Sequence, residues 1–208
     1  LIVDNNWYRT LARDNVDLVT TGIRRISAKG VETVDGTLHE ADVLILGTGF
    51  RSNLFLWPMD VRGRGGVSLA AQWGDCPEAF KGITVPNFPN LFCLYGPNTN
   101  IVHGGSIIYQ VECQIHYAMQ CITQMLNQGI TALEVKAEVN ERYNEDVQNI
   151  SRQLAWGHPG VQSWYKNSQG RVVNNSPFSL HRYWEVTHDL DLSDYTQGRL
   201  IREGSSRG

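Results

Sequence analysis

The sequence of 208 residues lacks several features that would point to common classes of protein. Its formal net charge is −3, so it has no basic excess of the kind that binds nucleic acid. No stretch approaches the ~18 consecutive apolar residues of a transmembrane helix. The first residues do not form the charged and then apolar pattern of a signal peptide. We therefore expect neither a nucleic-acid partner nor a membrane span.

Cysteine is scarce and its spacing is uninformative. The four cysteines, Cys76, Cys93, Cys113 and Cys121, form no CxxC pair. The six histidines show no spacing with thiols or carboxylates that is typical of a metal site. These features predict free thiols in the reducing cytoplasm, with a disulfide as the alternative. They also disfavour a flavoprotein disulfide reductase, which would use a CxxC pair.

Motifs that bind phosphate or present a nucleophile are missing as well. The sequence contains no G-x-G-x-x-G turn, no P-loop and no Gly-x-Ser-x-Gly elbow. It begins with Leu1 rather than Met, which suggests a partial or processed chain. Its composition is that of a globular protein, 41% hydrophobic and 19% charged, sufficient for one domain or two small ones.

Local patterns predict strands in the first half of the chain. The Asp35-Gly36 pair between β-prone runs predicts a hairpin. Residues 41–46 are apolar at almost every position and precede a glycine, which is typical of a strand buried on both faces of a parallel sheet. Residues 90–95, which precede a Gly-Pro pair, predict a further strand.

The second half of the chain is predicted to be mainly helical and then irregular. Apolar residues recur at spacings of three and four over residues 106–128, which predicts a long helix that Ser106 caps and Gly129 ends. We further predict a strand at residues 133–135 and a second helix at residues 140–154. The aromatic-rich sequence from residue 156 onward predicts loops.

Two segments have sequences suited to a cofactor. In the first, Gly47, Thr48, Gly49 and Phe50 follow the predicted buried strand. Glycines let the backbone approach a ligand closely, and ligands of open α/β sheets bind beyond the carboxyl ends of the strands. A tight turn after a core strand is the structural alternative.

The second segment is the loop that leads from residue 88 into the long helix. The residues of interest in it are Gly96, Pro97, Asn98, Thr99, Ser106 and Ile107. The first turn of a helix has unpaired amides and a partial positive charge, which suit an anion or an electron-rich ring edge. A capped helix after a polar loop is the alternative. His103 in this loop either contacts a cofactor or is a solvated structural residue.

Together these segments resemble the flavin-dependent monooxygenases. Residues 42–50 resemble the family's D-x-(apolar)₃-(A/G)-T-G-F motif, and residues 88–98 resemble its F-P-N-L-F-x-x-x-G-P-N segment. Glu112-x-Gln114 in the following helix also fits. Residues 163–171 resemble the S-W-Y-K-N-x-x-G-R segment of the Baeyer–Villiger branch. The four motifs occur in the family's order.

The resemblance implies an α/β fold, the C-terminal portion of a flavoprotein with two dinucleotide-binding domains. Residues 1–50 would be the end of the NADP-binding domain, and residues 51–150 the C-terminal part of the FAD-binding domain. Residues 151–208 would be an extension near the active site. The glycine-rich turns that hold FAD and NADPH in the family are absent here. The chain would therefore act with the missing N-terminal part of the same enzyme.

The resemblance also implies positions for the cofactors. Residues 47–50 would lie where the chain returns from the NADP-binding to the FAD-binding domain. Residues 96–99, with Ser106 and Ile107, would lie beside the flavin ring. Trp164 would close over NADP, whereas packing on the protein surface is its structural alternative. The resemblance assigns no catalytic residue.

The chemistry implied is oxygenation of a small molecule by O₂. In the family NADPH reduces FAD, the flavin traps O₂ as a C4a-peroxide, and one oxygen atom enters the substrate. We expect a ketone substrate and Baeyer–Villiger oxidation. The alternatives are oxygenation of a soft nitrogen or sulfur atom, as in flavin-containing monooxygenases, and a truncated remnant without activity.

Overall fold

The computed structural model describes residues 4–102, 104–161 and 163–198, and its internal contacts divide the chain into two units. The first unit comprises residues 1–50 and the second residues 51–208. Their assignment to an NADP-binding domain, an FAD-binding domain and an extension stays a prediction.

A short helix and a small antiparallel sheet form the first unit. Its elements are α1 (Trp7–Leu11), β1 (Ile23–Ser27), β2 (Gly30–Thr33) and β3 (Leu38–Glu40), with the strands in the order β1-β2-β3. The turn between β2 and β3 contains Gly36 with φ of 85°. The Asp35 carboxylate accepts hydrogen bonds from the Thr33 hydroxyl and from the Thr37 amide. The predicted Asp-Gly hairpin is therefore confirmed.

The predicted buried strand at residues 41–46 is wrong. Residues 43–50 have no regular secondary structure and lie exposed. The side chain of Ile45 is 92% accessible and that of Phe50 98%. A central strand exists only where neighbouring strands satisfy its amides and carbonyls, and no described strand pairs with these residues. The apolar sequence would be buried in a sheet, but the described residues of this unit do not cover it.

The second unit contains the remaining elements. They are α2 (Leu69–Trp73), α3 (Ile107–Gln128), β4 (Ala132–Val135), α4 (Ala137–Ser151), α5 (Leu180–His188) and β5 (Tyr195–Gly198), with 3₁₀ turns at Arg64–Gly66 and Leu192–Asp194. Helices α3 and α5 pack together, and β4 pairs with β5 in an antiparallel sheet. No helix in the described part of the chain is long and apolar enough to cross a membrane.

The long helix α3 has the caps that the sequence predicts. The Ser106 hydroxyl accepts a hydrogen bond from the Tyr109 amide at 3.4 Å. Gly129 ends the helix in the left-handed conformation, with φ of 65°, and its amide donates to the Met125 carbonyl. The predictions of α3 and of β4 are therefore confirmed, whereas α4 begins and ends three residues earlier than predicted.

Two predictions of secondary structure are wrong: the strand at residues 90–95 and the loops from residue 156 onward. Residues 90–95 form no strand, because Asn90 and Tyr95 adopt positive φ values of 61° and 59° that curl the chain. Asn90 instead bonds the start of β4, accepting from the Leu133 amide at 2.9 Å and donating to the Thr131 carbonyl at 3.0 Å. The region predicted as loops contains α5 and β5, whose formation depends on packing against α3 and β4.

A buried lysine lies against the main hydrophobic core. This core joins α3, β4, α4 and β5, and includes Phe80, Ile83, Tyr117, Cys121, Leu133, Val135, Val139 and Tyr195. The Lys81 ammonium lies 4.2 Å from the Tyr117 ring centroid and 5.0 Å from that of Phe80. Lys81 is only 8% exposed, and this burial lowers its pKa from 10.5 to about 8, although Asp194 favours the charged form.

Replacing Lys81 should therefore stabilise the second unit. At pH 7 the lysine is charged in both states, and its burial opposes folding. We expect Lys81→Met to raise the free energy of unfolding at pH 7 by about 1–3 kcal/mol. In the native protein the unfolded state binds more protons between pH 8 and 10.5, so stability should rise with pH there.

Urea unfolding at pH 7, 8.5 and 10 measures both effects. The gap between Lys81→Met and the native protein should narrow as pH rises. The exposed Lys29→Met is the matched control and should change neither value. A destabilised Lys81→Met protein at pH 7 would mean that the ring contacts outweigh the cost of burying the charge.

Candidate cofactor-binding site

Two glycines allow residues 96–99, which we call the candidate flavin loop, to cross the segment at Gly82 at close range. A Cβ atom at Gly96 would lie 2.3 Å from the Gly82 carbonyl oxygen. At Gly82, where φ is 71°, a Cβ would lie 2.1 Å from Cγ2 of Thr99. Neither position has room for a side chain. Gly96 thus lets two backbone segments pass close to each other inside the protein. Its contact with flavin stays a prediction.

Asn98 ties the same loop to a segment more than 70 residues later. Asn98 has φ of 56° and is 4% exposed. Its side-chain amide donates to the carbonyls of Val172 at 2.8 Å and Asn175 at 3.1 Å, and its backbone amide donates to Val173 at 3.1 Å. Asparagine suits this position because it tolerates the left-handed conformation and supplies two donors.

Thr99 and Pro97 are buried in the same way. The Thr99 hydroxyl donates to the Gly96 carbonyl at 2.7 Å, which closes the loop on itself. Side chains of the loop are therefore engaged within the protein. A cofactor at this loop would meet its backbone or its exposed edge rather than the side chains of Asn98 and Thr99.

Further amide side chains hold the loop from both ends. Gln114 on α3 accepts from the Tyr95 amide at 2.7 Å and donates to the Tyr183 hydroxyl at 2.9 Å. Asn100 donates to the Asn175 side chain at 2.8 Å and also accepts a hydrogen bond from the Tyr95 hydroxyl. Gln114 was noted in the sequence only as part of a motif. Its linking role depends on α5, which the sequence did not predict.

The start of α3 is the part of the site that remains accessible. Ser106 is exposed, and Ile107 and Ile108 present apolar side chains to the surface. The first helical amides and the helix dipole give this end a partial positive charge. Exposed apolar side chains beside a positive helix end are suited to a ring with an electron-rich edge. Ser106 and Ile107 are thus accessible, and their contact with flavin stays a prediction.

Gln110, one turn into α3, was missed by sequence reasoning. It is 1% exposed, and its side-chain amide nitrogen has no partner among the described residues. Burial of an unsatisfied donor costs about 1–3 kcal/mol. Side chains on a helix lean toward its N-terminus. The Gln110 side chain is thus a buried donor whose partner is not found among the described residues.

The first-unit segment gives a different picture. Gly47, Thr48, Gly49 and Phe50 are all exposed, and a Cβ at either glycine would meet no atom within 4 Å. Gly49 has φ of 75°, which a glycine adopts without strain. The structure therefore supplies no close approach that explains these glycines. Their part in cofactor binding stays a prediction.

The segment that carries Trp164 has a fixed base and an exposed arm. The Trp164 side chain is 60% accessible, and its ring centroid lies 4.1 Å from that of Tyr165. Asn167 closes the following turn by accepting from the amides of Gln169 at 3.0 Å and Arg171 at 2.9 Å. An indole with this exposure is not packed into the body of the unit, and its contact with NADP stays a prediction.

The described part of the loop at residues 95–100 has few groups that titrate near neutral pH or ligate metals. The loop at residues 95–100 contains no carboxylate, histidine or lysine. His103 lies outside the described residues. Within residues 4–102, 104–161 and 163–198, no group of three His, Cys, Asp or Glu side chains could hold a metal ion. Burial raises the pKa of the nearby Cys93 thiol to about 11, so this thiol stays protonated near neutral pH.

Known proteins were compared with the chain by sequence. No protein-family model matches it. Over 94% of its length it is 38% identical to a Baeyer–Villiger monooxygenase of Pseudomonas aeruginosa and 37% identical to an FAD-binding monooxygenase of Aspergillus niger. An uncharacterised monooxygenase of Sinorhizobium fredii is 36% identical. The chain spans only 30%, 37% and 32% of the Sinorhizobium, Pseudomonas and Aspergillus proteins.

Solved structures give the same result. The cyclohexanone monooxygenase from Rhodococcus sp. Phi1 bound to NADP⁺ matches 95% of the chain, with a TM-score of 0.73 and 26% identity. The chain covers 38% of that protein. The resemblance drawn from the sequence and the fold class are therefore confirmed: the chain is homologous to part of the Baeyer–Villiger and FAD-binding monooxygenases.

The Asn98 contacts lead to a stability prediction. Asn98→Ala removes two buried hydrogen bonds and places alanine at a positive φ, so we expect the free energy of unfolding to fall by about 2–4 kcal/mol. Asn98→Gly loses the same bonds without the conformational strain and should be about 1 kcal/mol more stable than Asn98→Ala. Urea unfolding of the chain measures both values. Equal stability of the alanine and native proteins would show that the amide bonds contribute nothing.

Proposed function

From this homology we propose that the chain is part of a longer enzyme, an FAD- and NADPH-dependent monooxygenase that inserts one oxygen atom of O₂ into a ketone. The supporting observation is the match of 94% of the chain to a protein named Baeyer–Villiger monooxygenase. Likeness to a cyclohexanone monooxygenase bound to NADP⁺ supports a ketone substrate and the nicotinamide cofactor.

Exposed apolar surface supports the idea that the rest of such an enzyme covers this chain. In the first unit, residues 43–50 expose a nearly continuous apolar sequence. In the second unit, one side of α3 exposes a row of apolar side chains, namely Ile108, Ile115, Met119, Ile122 and Leu126. Contiguous apolar surface of this kind is rare on a finished globular protein. The remaining part of the same enzyme is the partner we propose for it.

The residues of this chain would bind and orient the cofactors rather than carry out the chemistry. When bound, NADPH supplies hydride and FAD supplies the activation of O₂. The rigid loop at residues 96–99 would support one edge of the flavin, and the start of α3 would orient its electron-rich edge. Ile107 and Ile108 would keep water from the reacting atoms. The exposed Trp164 would cover NADP, and residues 47–50 would contact a cofactor where the chain passes from the NADP-binding to the FAD-binding domain.

The proposal is tested on the complete enzyme. The purified protein should show the absorbance spectrum of bound flavin, and should consume NADPH faster when a small cyclic ketone is added. Lactone should appear in step with the NADPH consumed. Stimulation by amines or sulfides instead of ketones would reassign the enzyme to heteroatom oxygenation. A protein without flavin or NADPH consumption would be the truncated remnant.

The chain by itself should not hold flavin. It has no glycine-rich phosphate-binding turn, and such turns provide much of the binding energy for a dinucleotide. We expect residues 1–208 to purify colourless and to show no NADPH oxidation. The near-ultraviolet and visible absorbance spectrum, in which bound flavin has two bands, measures this directly. A yellow protein with stoichiometric FAD would contradict the proposed division of the binding site.

Trp164 should affect NADPH and not FAD. In the complete enzyme we expect Trp164→Ala to raise KM for NADPH about 3- to 10-fold and to increase release of hydrogen peroxide, because a cover over the cofactor is lost. Flavin content should stay normal. Trp57→Ala, which removes another exposed tryptophan, is the control and should leave both quantities unchanged. Native NADPH kinetics and coupling in Trp164→Ala would reduce Trp164 to a surface residue.

A further inference from the structure

The base of the Trp164 segment is bonded to a turn more than 90 residues earlier in the chain. We call residues 74–78, which follow α2, the anchor turn. Asp75 makes two contacts there: its carboxylate accepts from the Ser168 amide at 2.8 Å, and its backbone carbonyl accepts from the Asn167 side chain at 3.0 Å. Glu78 forms an ion pair with Arg171. Three contacts to the anchor turn thus hold residues 167–171.

The anchor turn is itself fixed to a hydrophobic core. Trp73, at the end of α2, is 7% exposed and packs with Leu69, Ala79, Val85, Phe88 and Cys93. Its indole nitrogen donates to the Glu78 carbonyl at 2.8 Å, and its own carbonyl accepts from the Cys76 amide at 2.8 Å. The anchor turn can therefore act as a rigid support.

The contacts stop short of Trp164 itself. Between the anchored base and Trp164, the ammonium of Lys166 bonds the carbonyls of His158 at 2.7 Å and Val161 at 2.9 Å. Tyr165 donates its backbone amide to the Ser163 hydroxyl at 3.2 Å. Every described hydrogen bond of residues 163–166 is therefore made within the C-terminal part of the chain. The Tyr165 carbonyl also accepts from the Val173 amide at 3.2 Å, so the exposed Trp164 side chain extends from a backbone that is held on both sides.

We propose that Asp75 is a positioning residue for the Trp164 arm, acting through Ser168 and Asn167 to set where Trp164 meets the nicotinamide cofactor. The inference rests on the proposed function, because it assumes that Trp164 contacts NADP. Asp75 touches neither cofactor nor substrate. It narrows the positions of the arm before the cofactor binds, so that less freedom is lost on closing.

The acceptor of the Ser168 amide is the Asp75 carboxylate, and the variants are chosen to test this acceptor. Hydrogen bonding to Ser168 lowers the pKa of Asp75, so the group is charged at neutral pH. Asp75→Ala removes the side-chain acceptor but leaves the backbone carbonyl. Asp75→Asn keeps an oxygen that can accept from the same amide. Asp60→Ala is the matched control, because Asp60 is another exposed carboxylate and is paired with Arg62 rather than with the Trp164 segment.

The first measurement is made on the chain of residues 1–208 and needs no cofactor. Hydrogen exchange at the Ser168 amide should be about fivefold faster in Asp75→Ala, as expected for loss of one hydrogen bond. Exchange should stay near the native rate in Asp75→Asn and Asp60→Ala. Unchanged exchange in Asp75→Ala would overturn the proposal, since the bond would then not hold the segment.

The second measurement is a double-mutant cycle in the complete enzyme. Asp75→Ala should raise KM for NADPH about three- to fivefold and leave kcat at saturating NADPH and flavin content unchanged, with Asp75→Asn close to native. In the Trp164→Ala background, Asp75→Ala should have no further effect on KM, because the two residues act in series. Additive effects, or faster exchange without a change in KM, would overturn the positioning role. Absence of NADPH oxidation in the native enzyme would instead refute the proposed function, and the positioning role with it.

Discussion

The structure of the candidate site depends on the interlock between residues 96–100 and residues 172–176. Asn98 supplies three donors to this interlock, and Asn100 extends it through a backbone bond to Asn174 at 3.0 Å and through its side chain to Asn175. Gln148 on α4 completes it by exchanging two hydrogen bonds with Val172. Most of these partners are buried, so removal of one leaves others unsatisfied in a medium of low polarity.

The interlock explains why a loop without regular structure can be a rigid support. Close crossing of Gly82 and Gly96 leaves the loop no space to shift. Gln114 on α3 accepts from the amide of Tyr95, the residue just before the loop, and α3 packs against α5. The loop, the start of α3 and the residues near 172 are thereby held at one end of the second unit. Binding sites often have this design, in which irregular residues are positioned by a rigid scaffold.

The same interlock lies next to the segment that bears Trp164. Residues 167–171 are bonded to the anchor turn, and residues 172–176 are bonded to the candidate flavin loop. One continuous stretch of about ten residues therefore connects to both supports. These bonds give the exposed Trp164 side chain a defined base in an otherwise irregular region.

Periodicity and local turn chemistry by themselves determined α3 with its Ser106 and Gly129 caps, the Asp-Gly hairpin and β4. Each of these depends on residues within one helix or one turn, so the sequence was sufficient. Motif resemblance likewise identified the homologous proteins, since motifs are properties of sequence. Tertiary structure decided the rest. Residues 90–95 curl rather than extend, because positive φ values and bonds to β4 compete with strand pairing.

Long-range partners were the part that sequence could not supply. Nothing in the local pattern relates Asn98 to Val172 or Asp75 to Ser168, although these contacts determine which groups are available to a ligand. The apolar run at 43–46 shows the converse. Its sequence indicates a buried strand, but burial requires neighbouring strands, and the described residues provide none. A sequence pattern states what an element requires, whereas only the folded chain decides whether a partner is present to meet that requirement.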